Sequence, residues 1–99
     1  MRMMLKVSMP VEAGNKGVKE GVLPETVMRF VEQMKPESCY FFPEGGQRTA
    51  LFFFDLRDPT MIPTAVEPFF MNLNASIEMT PVMNLEEMKV GVEKAMKRA

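Results

Sequence analysis

The sequence contains no histidine, no tryptophan and a single cysteine among its 99 residues. Without histidine, Ser-His-Asp and Cys-His nucleophilic sites, histidine ligation of zinc and imidazole acid–base chemistry near neutral pH are all excluded. The one cysteine, Cys39, cannot form a disulfide within the chain, which is typical of proteins from a reducing compartment. We therefore expect a cytoplasmic protein that carries neither a metal nor a cofactor.

Long apolar runs and an excess of either charge are also missing. No segment approaches the ~20 apolar residues that span a bilayer, and the N-terminal MRMMLKVSMP is too short and too charged for a signal peptide. The formal net charge is −1, so nucleic acid and anionic membranes exert no general attraction. The aromatic stretch QRTALFFFDL is not an RNA-recognition strand, because Thr49 and Ala50 interrupt the basic–glycine–aromatic pattern. We expect no nucleic-acid partner and no membrane partner.

The 12 methionines stand out among the residues that are present. Methionine is flexible and polarizable, and it fills gaps in adaptable cores and interfaces. The methionines are scattered over every predicted element, and no cysteine cluster or histidine accompanies them, so they do not predict a copper site.

Hydrophobic periodicity divides the chain into seven elements. Period-two alternation predicts strands over 2–9, 38–43, 48–56 and 74–82. Apolar residues three and four apart predict a helix in LPETVMRFVEQMKP, a second after Asp58-Pro59 and a third after a cap formed by Asn84 and Glu87. The stretch VEAGNKGVKEG is interpreted as a loop with one or two helical turns, ending at Gly21.

The element order β-α-β-β-α-β-α predicts an α+β fold in one domain spanning residues 1–99. Two βαβ units around a central hairpin indicate a ferredoxin-like split βαβ sandwich with a C-terminal helix. Its antiparallel four-stranded sheet would have the order 4-1-3-2, with two helices on one face. The additional C-terminal helix would then cover an edge of the sheet or clasp a partner.

The hairpin around Gly45-Gly46 has apolar residues on both faces. A primed two-residue turn at these glycines places Phe42 opposite Thr49 and Tyr40 opposite Leu51. One face then points to the helices and is formed by Cys39, Phe41, Ala50, Phe52 and Phe54, together with Met3, Leu5, Val7, Ile77 and Met79. The other face presents Met4, Tyr40, Phe42, Leu51 and Phe53. So large an apolar surface is unfavourable in water, and a second copy of the same sheet, packed ~10 Å away, is its simplest cover. We therefore expect a homodimer.

The element order and the helix DPTMIPTAVEPFF resemble the dimeric α+β barrel superfamily, which includes muconolactone isomerase and relatives of antibiotic-biosynthesis monooxygenases. The chain more closely resembles short single-domain bacterial proteins that carry comparable MLKVSMPVEAGN, GGQRTALFFFDL, PFF and TPVMN segments. The resemblance covers nearly the whole chain. It implies a homodimer in which two sheets form one barrel.

Four residues are candidates for chemistry. Lys6 and Glu78 fall on neighbouring strands and on the same face, where they would form an acid–base or anion-holding pair, or else a cross-strand ion pair that fixes register. The hydroxyl of Tyr40 could orient a phenolic or keto substrate. Glu12, which follows the first strand, would be a proton acceptor on a loop.

Six further residues are candidates for ligand binding. Arg2 could hold a carboxylate, and Asn15 could orient a ligand, although a plain turn also explains Asn15. The other candidates share the uncovered face, where they could equally be rim residues of a dimer; they are Phe42, Thr49, Phe53 and Asp55.

Two functions are consistent with this pattern. In the first, the sheet-lined cavity binds a small, partly apolar molecule, with cofactor-free chemistry of an isomerase or monooxygenase type. In the second, the protein is a non-catalytic structural or regulatory dimerisation module. A cavity of ~300 Å³ or more that contains Tyr40 and Lys6 favours the first, and a face packed solid by Met4, Phe42 and Phe53 favours the second.

Overall fold

The computed structural model describes residues 1–97, and the last two positions of the predicted domain lie outside the described residues. Its strands are β1 (Arg2–Ser8), β2 (Ser38–Glu44), β3 (Gln47–Asp55) and β4 (Ser76–Pro81). Its helices are α1 (Val11–Lys19), α2 (Val22–Met34), α3 (Ile62–Leu73) and α4 (Leu85–Lys97), and a short 3₁₀ turn (Pro59–Met61) precedes α3. The chain therefore has the mixed α+β composition that the sequence predicts.

The four strands form one antiparallel sheet with the order β2-β3-β1-β4. This order is the predicted 4-1-3-2 counted from the opposite edge. It fits a βαβ-type sandwich in general and is compatible with the ferredoxin-like arrangement. The predicted hairpin register is confirmed, since Phe42 lies opposite Thr49 and Tyr40 lies opposite Leu51. The turn depends on Gly45 and Gly46, whose φ angles of 60° and 77° are unfavourable for residues with a side chain.

The core lies between the sheet and helices α2 and α3. Phe52, at the centre of β3, is fully buried, and its ring centroid lies 4.5 Å from that of Phe30 in α2 and 5.8 Å from that of Phe69 in α3. Alternate residues of β1 complete this layer, because Leu5 and Val7 are both 0% exposed. The predicted division of the sheet into a helix-facing side and an open side therefore holds for its two central strands, β1 and β3.

Phe41 is the exception on the helix-facing side, because its side chain is 60% exposed. It belongs to β2, an edge strand, and lies at the margin of the helical layer. Its ring still packs edge-on against Phe52, with centroids 5.9 Å apart and an interplanar angle of 84°.

The segment interpreted as a loop with one or two turns forms a full helix, α1. Its two buried residues are Gly14 and Gly17, so these glycines are packing contacts rather than turn residues. A Cβ at Gly17 would lie 2.8 Å from Cδ2 of Leu73, which shows how closely α1 approaches α3. Gly21, with a φ of 77°, separates α1 from α2 at the predicted position.

Helix α4 extends from the rest of the structure. It begins with the predicted cap, in which the amide N of Glu87 donates to Oδ1 of Asn84 at 2.8 Å and the amide N of Asn84 donates to Oε1 of Glu87 at 2.9 Å. None of its 13 residues is buried. The radius of gyration is 15.9 Å, against about 13 Å for a compact chain of this length, and the longest dimension is 55 Å. Within residues 1–97, no helix is both long and apolar enough to cross a membrane.

Candidate functional site

The sheet face opposite the helices is the candidate site, and we call it the open face. Alternate residues of all four strands form it, while α1 to α3 lie over the opposite face and α4 buries none of its residues. Four of its large apolar side chains are only half-buried, and the fifth, Tyr40, is 58% exposed; the half-buried ones are Met4, Phe42, Leu51 and Phe53. Each copy of the chain thus presents an apolar surface rimmed by charged residues.

One row of side chains crosses the centre of the open face. The strand pairings place Tyr40 opposite Leu51, Leu51 opposite Lys6, and Lys6 opposite Glu78. The backbones of Tyr40 and Lys6 are two strands apart, or roughly 10 Å, so Leu51 forms an apolar floor between the phenol and the ammonium group. The structure therefore brings three of the four predicted catalytic residues into one row.

Lys6 is held by two carboxylates. Its Nζ contacts Oε1 of Glu44 closely and lies 4.0 Å from Oε2 of Glu78. Because Glu44 ends β2, the first of these ion pairs spans β3. The hydrogen bond to Glu44, together with the charges of Glu44 and Glu78, raises the pKa of Lys6 despite its partial desolvation. Lys6 is therefore a cation near neutral pH, which suits it to holding an anion and not to accepting a proton.

The opposite end of the open face carries Arg2 and Asp55, which are paired across β1 and β3. Nε of Arg2 donates to Oε1 of Glu37 at 3.0 Å, and Nη1 donates to Oε1 of Glu87 at 2.5 Å. The hydrogen bond to Glu87 is the main reason that the pKa of Arg2 is raised. A ligand carboxylate at Arg2 would have to compete with two carboxylates of the same chain.

Asp55 is likewise engaged within the chain. Its Oδ1 accepts a hydrogen bond from the N-terminal ammonium group at 2.6 Å. That hydrogen bond holds the pKa of Asp55 below its ordinary value. Asp55 is thus a charged anchor for the start of β1 and has no proton to offer near neutral pH.

The structure does not bring Glu12 and Asn15 to the open face. Both belong to α1, which lies in the helical layer because residues 11–19 form a helix instead of a loop at the end of the sheet. Glu12 is exposed in the first turn of α1, and Oδ1 of Asn15 accepts a hydrogen bond from Nη1 of Arg48 at 2.9 Å. Glu12 is therefore separated from the row that contains Lys6.

Phe42 and Thr49 lie at the hairpin end of the open face. Thr49 is only 2% exposed, and its hydroxyl donates to the carbonyl of Gln47 at 3.2 Å. Both residues also border a groove on the helical side of the hairpin. Further along β3, Phe53 lies opposite Met4 of β1 and is half-buried.

Sequence reasoning missed Glu44, the closest partner of Lys6. Hairpin register alone places Glu44 on the open face, which is the signal that could have found it. The contact itself depends on how the end of the hairpin approaches β1. Burial raises the pKa of the Cys39 thiol, which makes it a weaker nucleophile near neutral pH. Among residues 1–97, no group of three or more histidine, cysteine, aspartate or glutamate side chains could hold a metal ion.

Comparison with known proteins adds no assignment, since no family model matches the chain and no curated protein matches it significantly. The resemblance to dimeric α+β barrel proteins rests on the sequence segments quoted above and on the element order. The observed strand order is compatible with a ferredoxin-like fold.

Proposed function

We propose that the protein is a homodimer in which two open faces pack together and enclose a site for a small, partly apolar molecule. The central row carries this proposal, because it sets the apolar floor of Leu51 between the hydroxyl of Tyr40 and the cationic Lys6. Pockets that bind small molecules combine mostly apolar walls with a few convergent polar groups. The ligand would place its apolar body over Leu51 and an anionic or carbonyl oxygen at Lys6.

The need for a second copy follows from the open face. Five large apolar side chains lack a covering layer within one copy, and burying them contributes about 25 cal/mol per Å² of apolar surface. Four strands about 4.8 Å apart and seven residues of about 3.3 Å each give a footprint on the order of 400 Å². This is less than the ~800 Å² per partner of a stable interface, so a second contact surface is required.

Helix α4 supplies the second contact surface. It carries an apolar stripe in which every member is at least 40% exposed; its members are Leu85, Met88, Val92 and Met96. An isolated helix of 13 residues is marginal in water, so it needs a packing partner. Because Glu87 is hydrogen-bonded to Arg2 on the open face, α4 starts on the side where the second copy would lie. We therefore propose that α4 packs against the partner.

The groups on the open face suit proton transfer beside a carbonyl. Glu78 would accept a proton from the carbon next to the carbonyl, and the ammonium group of Lys6 would stabilise the enolate oxygen that results. In a β,γ-unsaturated carbonyl compound the enolate extends over the double bond, so return of the proton to the γ-carbon shifts that double bond to the α,β position and completes an isomerisation, with no net change in electrons and no cofactor. Tyr40 would hydrogen-bond to the far end of the substrate.

Two measurements test this proposal. Sedimentation velocity of the full chain is expected to give twice the monomer mass of 11.3 kDa. Native mass spectrometry of the purified protein is expected to show a bound small molecule, which Lys6→Met should release without dissociating the dimer. Lys19→Met, on the exposed surface of α1, is the matched control and should retain it. A dimer of Lys6→Met that keeps the molecule would refute the role of Lys6.

A non-catalytic dimerisation module is the second candidate. It is favoured by the ion pairs that the cations of the open face form with carboxylates of the same chain. Lys6 already contacts Glu44, and Arg2 already binds Glu37 and Glu87, so these cations serve the chain itself. In that case Lys6→Met should weaken the dimer, and no bound molecule should be found in the unmodified protein.

A further inference from the structure

A second surface, the hairpin groove, lies on the helical side of the β2–β3 hairpin. It has a volume of about 440 Å³, and its walls include Met9, Leu23, Phe41 and Pro43, with Arg48 as its charged residue. This volume lies within the range of about 300–1,000 Å³ that is usual for small-molecule sites. The groove is separate from the row of Tyr40, Leu51, Lys6 and Glu78, and none of its chemistry depends on those residues.

A hydrogen bond orients the guanidinium group of Arg48, but no carboxylate of the described residues neutralises its charge. Its Nη1 donates to Oδ1 of Asn15 at 2.9 Å, and a Cβ at Gly14 would lie 2.9 Å from the same Nη1. The guanidinium group is therefore held against the backbone of α1 by a neutral partner. Within residues 1–97, no carboxylate oxygen lies within 4.0 Å of it, in contrast to the guanidinium of Arg2. Its remaining N–H groups can form a charge-assisted pair with an incoming carboxylate.

The apolar wall of the groove includes an aromatic ring. Phe41 is 60% exposed, and its ring packs edge-on against the buried Phe52. An exposed ring next to Leu23 and Pro43 offers a flat apolar contact, and a phenylalanine side chain has few rotatable bonds to order on binding. The oriented cation and the aromatic wall therefore border the same groove.

We infer that the hairpin groove binds a small monocarboxylate with a flat apolar body. The carboxylate would pair with Arg48, and the apolar body would lie against Phe41 and Leu23. Gly14 and Asn15 act as positioning residues, since they set the guanidinium without touching the ligand. This inference does not rest on the dimer or on the row of Tyr40, Leu51, Lys6 and Glu78.

The probe pair is 4-phenylbutyrate and the neutral alcohol 4-phenylbutan-1-ol, titrated into the full ¹⁵N-labelled chain by NMR. The carboxylate is expected to shift the amide signals of Leu23, Phe41 and Arg48. Arg48→Met should weaken binding of the carboxylate by about tenfold and leave the alcohol unchanged, because only the charged probe uses the guanidinium. Arg29→Met, an exposed arginine of α2, is the matched control and should change neither affinity.

Asn15→Ala tests positioning, and it should weaken the carboxylate alone while the spectrum remains that of a folded protein. Equal effects of Arg48→Met on both probes would overturn the inference, as would shifts confined to the strand residues of the open face. Binding that disappears as the protein concentration rises would also overturn it, because a second copy would then occupy the groove. The mass measured in the same samples separates the two proposals: a monomer that binds 4-phenylbutyrate refutes only the dimer.

Discussion

Replacing Gly17 with alanine should destabilise the fold, although the same change normally favours a helix by about 1 kcal/mol. The new Cβ would lie 2.8 Å from Cδ2 of Leu73 and 3.2 Å from Cβ of Leu23. Leu73 is 0% exposed, so its side chain can move away only by repacking against its neighbours. Overpacking of this kind costs about 1–3 kcal/mol, so the net loss in the free energy of unfolding is about 1 kcal/mol. The melting temperature should fall by about 4–8 °C.

Urea denaturation followed by far-UV circular dichroism measures this loss, at one fixed protein concentration because the proposed dimerisation would couple stability to concentration. Two further glycine-to-alanine variants serve as matched controls. Gly14→Ala meets the flexible end of Arg48 and should cost less. Gly91→Ala in α4 should raise helix content, because within residues 1–97 its Cβ would have no atom within 4 Å apart from its own stretch of helix. A urea midpoint for Gly17→Ala at or above that of Gly14→Ala would refute the close packing of α1 on α3.

Three further predictions concern the open face and α4. Phe53→Glu should dissociate the proposed dimer, because it would place an unpaired charge in the proposed interface; size-exclusion chromatography with light scattering should then show monomer that is still folded. Val92→Glu should weaken the proposed dimer by at least about tenfold, whereas Val90→Glu, on the other side of α4, should not. The pKa of Glu87 is lowered in the folded protein, mainly by the hydrogen bond from the amide of Asn84 and then by Arg2. The contact between Glu87 and Arg2 therefore stabilises α4 at pH values above the ordinary pKa of 4.5, and it is lost as the pH falls through the lowered pKa of the folded state. Helix content measured against pH should therefore drop in acid, and Glu87→Gln should flatten that drop.

The strands and their register could be predicted because the signals are local. Alternation marks each strand, and Gly45-Gly46 fixes the hairpin because both positions need positive φ. The pairing of the hairpin then determines which residues face the same way. The row of Tyr40, Leu51 and Lys6 follows from this register together with the strand order.

The remaining features depend on contacts between distant parts of the chain. The sequence predicts a loop with only one or two helical turns where α1 forms, because it does not show that Gly17 meets Leu73 and that Gly14 meets Arg48. The hydrogen bond between Arg48 and Asn15 joins residues 33 positions apart. The exposure of Phe41 reflects where the helical layer ends, which strand alternation does not encode.

The residues of the open face show why the site is harder to predict from the sequence than the fold. Its polar groups are common residue types, and their roles depend on which partner each one meets. Lys6 becomes a fixed cation through Glu44, and Asp55 becomes an anchor through the N-terminal ammonium group. Neither pairing leaves a motif in the sequence.

The mass of the full chain in solution shows whether two copies cover each other's open face. Sedimentation equilibrium across the micromolar range should return twice 11.3 kDa, with dissociation only on dilution or in Phe53→Glu. A single species of 11.3 kDa at every concentration, with the open face still exposed to solvent, would contradict the account.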